Sequence, residues 1–286
     1  MHMIICALLG FAVILAASFI RKIPDKFEDF CIGVSIPVFV CLLLPIGAAT
    51  GWLRPATLDV FFRRADMALG LDGFALTRWL LRTGWYVLVL PIYSALPLVL
   101  ALGWALERSR TLLRAAVIGA VLAVPLYLLL PAAGPEYAFS NFPDPNGIAV
   151  SIGWVHPRNC FPSMHLTWAI LVAWNLRNPR WRWLFVSYAS LMALATVACG
   201  EHYFVDILAA LPFAAAVQKI AVAWPSLESK RSRLAEYAAS LKPVVPSLTA
   251  YWDHPQKVTK FPEHITRTRE AAMSEQSKPP IISEIE

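Results

Sequence analysis

Charge is scarce in this chain: of 286 residues, 15% are Asp, Glu, Lys or Arg and 58% are apolar. Soluble domains carry roughly 25% charged residues, so a soluble globular fold is a poor fit. The apolar residues fall in blocks rather than at amphipathic spacing, as membrane-spanning segments do. Paired cysteines are also missing. Cys6, Cys31, Cys41, Cys160 and Cys199 form no C-x-x-C motif and no zinc-like spacing, so the sequence argues for no metal centre. Cys160 and Cys199 flank two histidine motifs, and a disulfide between them requires an extracytoplasmic face. No internal repeat stands out. The net charge of +6 does not point to nucleic acid, because most Lys and Arg sit in short loops and the C-terminal tail, where they meet anionic headgroups. The first apolar run, 3–20, is followed rather than preceded by its positive charges, Arg21 and Lys22. That order is the reverse of a cleaved signal peptide, and the run reads as an uncleaved span.

What is present is a series of apolar stretches: 3–20, 32–50, 84–104, 112–131, 163–176, 183–200 and 203–223. Most approach the roughly 20 residues that cross a ~30 Å hydrocarbon core as a helix. The fifth is short, so its start is expected inside the protein, below the outer surface. Seven spans put the basic segments 21–30, 105–114, 177–182 and the tail on one side, which the positive-inside rule makes cytoplasmic. The 132–162 loop and the 200–202 turn then lie outside. The outer 51–83 loop dissents, with five Arg against three Asp. Within it, Thr57 is expected to cap one amphipathic helix bearing Leu58, Phe61, Phe62, Ala65 and Leu69, and Asp72 to cap a second. Such helices would lie on the membrane, with Arg63, Arg64, Arg78 and Arg82 either reaching phosphates or solvating the polar faces.

The expected fold is all-α: a polytopic membrane helical bundle with amphipathic interfacial helices. Residues 1–31 form an N-terminal extra span and cytoplasmic loop, 32–224 the membrane core, and 225–286 a cytoplasmic tail, helical over 227–241 and disordered beyond.

Chemistry concentrates at two places. His165 ends the run Arg158-Asn159-Cys160-Phe161-Pro162-Ser163-Met164-His165, and His202 opens Gly200-Glu201-His202-Tyr203-Phe204-Val205-Asp206. The topology puts both on the same face at similar depth. His202 and Asp206 are four apart and share one helical face. A carboxylate inside an apolar span is costly to ionise and marks a functional site. Beside an imidazole it fixes the tautomer, leaving the other ring nitrogen of His202 free to attack. His165 is placed to protonate a leaving oxygen. Pro162 suits a first helical turn, and Ser163 with the free N–H groups there offers an anion site, over which Arg158 can fork. Nucleophile, orienter, acid and anion cradle together describe phosphoryl transfer through a phosphohistidine. Glu201 reads as a solvated turn residue or as a group that tunes His202, and Tyr137 and Tyr203 as belt residues.

The pair P-S-x-H and H-x-x-x-D, each opening a span, resembles the second and third motifs of the type-2 phosphatidic acid phosphatase superfamily. The wording around Cys160–His165 and Gly200–Asp206 is most similar to its inositol phosphorylceramide synthase-like branch. The resemblance covers roughly residues 50–223. It implies a six-span phosphatase core with one N-terminal span added, His202 as nucleophile, Asp206 as its partner and His165 as proton donor. The superfamily's first motif, a Lys then six residues then Arg-Pro, has no match, and Ala195-Thr196 stands where the third motif usually has Ser-Arg. The phosphate grip therefore falls to Arg158 and Ser163, or to the arginines of 63–82. Gly134-Pro135 resembles a turn of the same branch.

The resulting expectation is an integral membrane, metal-independent lipid phosphatase or phosphotransferase without a cofactor, in a bacterial inner membrane, with its site extracytoplasmic and its C-terminus cytoplasmic. Its partners are a lipid phosphate and membrane lipids. Two readings from other classes compete: a haem protein with His165 and His202 as axial ligands, and a transporter with an Asp–His proton relay.

Overall fold

Helix starts in this chain are set by short polar side chains placed just before apolar runs. Ser109 accepts from Leu112 N at 3.2 Å, Ser163 from Leu166 N at 3.4 Å, Asn178 from Arg180 N at 2.9 Å and Asp72 from Ala75 N at 3.1 Å. Each satisfies one of the N–H groups that a first helical turn leaves without a partner. The structure, a computed structural model, describes residues 2–20, 38, 41–42, 45–153 and 156–241. The expected 21–30 loop, most of the 32–50 span and the tail beyond 241 lie outside the described residues.

The helices are α1 (His2–Ile20), α2 (Asp59–Ala68), α3 (Gly73–Thr83), α4 (Val89–Ser94) after a 3-10 turn at Trp85–Leu88, α5 (Leu96–Glu107), α6 (Arg110–Leu129), α7 (Pro135–Ala138), α8 (Met164–Asn175), α9 (Pro179–Ala198) and α10 (Phe204–Leu241). Residues 45–53 are helical as well. The described residues contain no strand, only an isolated bridge between Phe139 and Ala149. The chain divides into two compact units, Met1–Pro225 and Ser226–Glu286.

Among the described residues, three helices are long and apolar enough to cross a membrane: Arg110–Leu129, Pro179–Ala198 and Phe204–Trp224. A fourth span is available if Trp85–Ser94 and Leu96–Glu107 count as one, bent by 56° at their junction. The expected 84–104 span is thus broken. Pro97 sits in the first turn of α5, where its missing N–H costs no bond. The described residues therefore supply three or four spans, not the full count expected from the apolar stretches.

The short fifth stretch lies at the centre of the core. Helix α8 has only 12 residues, about 18 Å, and its residues Leu166–Ala173 are all buried. Small residues let its neighbours close in, as in membrane bundles where close packing replaces the hydrophobic drive. Gly103 of α5 has room for nothing larger, since a Cβ there would come within 2.6 Å of Val172 Cγ1. Gly119 of α6 faces Met164, Trp168 and Val217, and Ala115, Ala123, Ala169, Ala210 and Ala214 are fully buried around it. At the far end of α8, Asn175 Nδ2 donates to Gln218 Oε1 at 3.0 Å, and Ser109 Oγ lies 3.2 Å from Asn175 Oδ1.

The 51–83 segment departs from expectation. Thr57 caps nothing. Leu58 stands at the N-cap without a side-chain bond, whereas Asp72 caps α3 as expected. The buried face of α2 is Asp59, Phe62 and Asp66, and the apolar residues Val60, Phe61, Met67 and Leu69 are exposed. Two of the dissenting arginines are held by the protein. Arg63 donates to Pro145 O at 2.8 Å and Gly147 O at 3.3 Å, and Arg78 donates to Pro143 O at 2.8 Å.

Replacing Gly103 by Val should push α5 from α8 and destabilise the protein by about 1–3 kcal/mol. A lowered thermal unfolding midpoint in detergent checks it, and an unchanged midpoint would mean that the two helices are not in this contact.

Candidate active site

The turn between α9 and α10 is built to present His202. Helix α9 ends at Cys199, and Gly200 follows at φ +78°, the left-handed conformation that terminates helices and favours glycine. The chain then doubles back, and His202 N donates to Thr196 O at 3.2 Å. Gly134 packs against this turn at φ +103°, where a Cβ would lie 2.7 Å from the carbonyl oxygens of both Gly200 and Glu201. Glu136 N completes the contact by donating to Gly200 O at 3.0 Å. Only glycine meets both the backbone conformation and the close approach.

One turn into α10, Asp206 points back at this loop. His202 Nδ1 stands 3.5 Å from Asp206 Oδ2, with both side chains buried. The same oxygen accepts from Tyr203 N at 2.8 Å and from Cys160 Sγ at 2.7 Å. Cys160 Sγ is also 3.6 Å from His202 Nδ1 and 3.1 Å from Glu201 O. Burial, with the Asp206 charge behind it, pushes the Cys160 thiol well above its ordinary range, which suits a neutral S–H that donates. The other oxygen, Asp206 Oδ1, is buried without a hydrogen-bond partner.

His165 enters from the first turn of α8. Its ring centroid lies 6.0 Å from that of His202, at an interplanar angle of 66°, and Tyr93 stacks on its other side at 4.2 Å. His165 Nε2 is likewise buried without a partner. The two helix starts are tied together by Ser163 N, which donates to Asp206 O at 3.3 Å. The structure thus brings His165, His202 and Asp206 together.

Arg158 and Ser163 are placed differently from expectation. Arg158 is fully buried. Its Nε donates to Arg54 O at 3.2 Å, Nη1 to His156 O at 2.9 Å, and Nη2 to Ile152 O at 3.1 Å and Gly153 O at 3.4 Å. Four of a guanidinium's five N–H donors are thereby committed to backbone carbonyls. Ser163 is the N-cap of α8, and Pro162 precedes it outside the helix rather than in its first turn. Cys160 and Cys199 are both free thiols. The cation that lines the cleft beside His202 is Arg63. That cleft is shallow and is also bordered by Asp66, Met67, Leu71, Phe74, Pro135 and Tyr203.

Two contributors on α2, Asp59 and Asp66, are not singled out by the sequence, and three others sit differently from expectation. Asp59 accepts from Ala133 N at 3.1 Å, Gly134 N at 2.9 Å and Tyr203 Oη at 2.9 Å. Asp66 accepts from Phe204 N and Val205 N, both at 2.8 Å, so α2 supplies the cap of α10. Their spacing of seven on one helical face was a visible signal. Tyr203 is buried, not a belt residue. Tyr137 Oη donates to Glu201 Oε1 at 2.8 Å, and burial pushes the Glu201 carboxyl upward.

Arg158→Met should leave those carbonyls without donors and destabilise the fold by about 3 kcal/mol, read as a lower unfolding midpoint in detergent. Burial lifts the Asp66 carboxyl from 3.8 to about 6, against the two backbone N–H groups that favour its charged form. A pKa raised on folding means that the folded state binds the extra proton, so stability falls as pH rises through this window. Unfolding midpoints measured across that range should decline with pH, and less steeply in Asp66→Asn.

Comparison with curated proteins and with solved structures returns no match. A family model described as the PAP2 superfamily matches residues 61–220. That stretch exceeds half of the chain and holds His165, His202 and Asp206 together with most of α2. The chain belongs to the PAP2 superfamily, whose members are phosphatases and phosphotransferases acting on phosphoesters.

Proposed function

We propose that this chain is an integral membrane enzyme that cleaves or transfers a lipid phosphate through a phosphohistidine on His202. The observation that carries the proposal is the buried His202–Asp206 pair facing His165, at the starts of helices in an apolar bundle. Membership of the superfamily favours phosphoester chemistry over the haem and transporter readings.

Asp206 holds the proton on Nδ1 of His202 and stabilises the charge that develops there, so the lone pair sits on Nε2. Nε2 attacks phosphorus, the N–P bond forms, and the P–O bond to the leaving group breaks. His165 gives that oxygen a proton. Water or an acceptor hydroxyl then attacks the phosphohistidine and returns its proton through His165. Hydrolysis and transfer share the first half. The likeness of the Cys160–His165 and Gly200–Asp206 segments to the inositol phosphorylceramide synthase-like branch supports transfer to a lipid alcohol as the alternative outcome.

The substrate is a lipid for two reasons. The cleft beside His202 is bordered by Met67, Leu71 and Phe74, and the outer faces of α2 and α3 expose Phe61, Met67, Leu69, Trp79 and Leu81, a surface suited to acyl chains. Arg63, on the same cleft, keeps three of its five donors beyond its bonds to Pro145 O and Gly147 O. It is the group we assign to the phosphate oxygens, with Arg158 held on the backbone carbonyls and Ser163 capping the start of α8. The positive-inside count supports an extracytoplasmic site and a cytoplasmic C-terminus, in a membrane we take to be a bacterial inner membrane.

The test is phosphate release from a panel of lipid phosphates in detergent, with EDTA present. Turnover should persist in EDTA. His202→Ala should abolish it, and Asp206→Asn and His165→Gln should each lower kcat by about 10²–10⁴-fold. Normal hydrolysis by both His202→Ala and Asp206→Asn would refute the site.

A further inference from the structure

Cys160 has no part in the chemistry above, yet its sulfur contacts both members of the His202–Asp206 pair. Sγ, Nδ1 and the carboxylate lie within 4.8 Å of one another, all from buried residues. Sulfur, imidazole and carboxylate are the donor set of zinc-type sites. A second, independent observation points to a ligand: Asp206 Oδ1 is buried with no hydrogen-bond partner.

The spacing fits. Bonds of about 2.3 Å to sulfur and about 2.0 Å to nitrogen and oxygen give tetrahedral edges of about 3.5 Å for S–N and about 3.3 Å for N–O. The observed separations are 3.6 Å for Sγ–Nδ1 and 3.5 Å for Nδ1–Oδ2. The third edge, Sγ–Oδ2 at 2.7 Å, is shorter because a thiol proton bridges it. Exchanging that proton for a cation opens the edge by under about 1 Å, or brings in the partnerless Oδ1. Charge fits too, since a thiolate and a carboxylate neutralise a divalent cation and leave no net charge to bury.

We propose that Cys160, His202 and Asp206 form an inhibitory site for a thiophilic divalent cation, Zn²⁺ or Cd²⁺. Binding releases the Cys160 thiol proton to solvent. It also takes the Nδ1 lone pair of His202, so the ring proton moves to Nε2. A protonated Nε2 has no lone pair with which to attack phosphorus. The cation therefore switches the nucleophile off without touching the cleft. Hard cations such as Mg²⁺ and Ca²⁺, which prefer oxygen ligands, do not bind here.

The inhibition rests on His202 being the nucleophile. The binding does not, and the two are measured separately. Purified full-length protein in detergent is titrated with CdCl₂, and the ultraviolet thiolate-to-cadmium charge-transfer absorption is read against Cys160→Ser, Cys160→Ala and His202→Gln, each checked for an unchanged elution profile. One equivalent should bind in the native chain. Each substitution should weaken that binding at least about tenfold, the loss that even outer-shell changes cause. In the second measurement, Zn²⁺ and Cd²⁺ should suppress phosphate release reversibly with EDTA, Mg²⁺ should not, and Cys160→Ser should need at least about tenfold more metal for half inhibition. Equal cadmium absorption in the native chain and both Cys160 variants, or binding indifferent to His202→Gln, would overturn the site. Metal binding without any phosphate release in the native chain would instead count against the phosphohistidine reading and leave the metal site standing.

Discussion

The geometry around His202 depends on two carboxylates of one short helix. Asp66 takes the N–H groups of Phe204 and Val205 and so caps α10, the helix that carries Asp206. Asp59, two turns earlier on the same face, takes Ala133 N, Gly134 N and the Tyr203 hydroxyl. The turn bearing His202 is thereby gripped from both sides, by Gly134 packed against its backbone and by the start of α10 behind it. A carboxylate at a helix N-terminus also meets the positive end of the helix dipole. Burial opposes the ionised form of Asp66, so the cap has a cost. It is retained because two N–H groups in an apolar setting cost more when unpaired.

The same feature shows how much of the molecule was legible in its sequence. Composition and apolar blocks identify a helical membrane-type chain, because that signal is a property of whole segments. The i,i+4 spacing of His202 and Asp206 was equally readable, because it is local. The encounter of His165 with His202 came from the alternation of basic loops, which is a topological inference rather than a packing one. Asp59 and Asp66 were not recognised, although they stood on one helical face. Phe61 and Leu69, expected on a stripe lying on the membrane, are exposed, but Phe62 of the same stripe is buried together with the acidic face. In a membrane protein the outside is apolar as well, so hydrophobic periodicity does not say which face points inward.

Arg158 illustrates the converse. Its position before the P-S-x-H run suggested a phosphate ligand, and a fork of five donors is as apt for carbonyls as for phosphate oxygens. The choice depends on where residues 54 and 152–156 lie, and no local pattern encodes that. The structure commits the guanidinium to four carbonyls. That contact links the residues just before α2 to the segment leading into α8. Arg158 thus acts, if at all, on the position of the segment leading to His165 rather than as a ligand beside it.

Burial and polarity together show where the site's reactivity comes from. Among the described residues, two buried side-chain atoms have no hydrogen-bond partner, His165 Nε2 and Asp206 Oδ1, and both belong to the constellation around His202. Each such group costs about 1–3 kcal/mol, and a fold selected for stability alone would have paired or removed it. Elsewhere in the core, polar side chains find partners, as Thr77, Thr167 and Trp168 do with backbone carbonyls. The unpaired atoms lie instead where the proposed mechanism moves a proton and develops a charge. Unmet hydrogen-bonding capacity confined to one place is thus the structural counterpart of chemistry confined to one place.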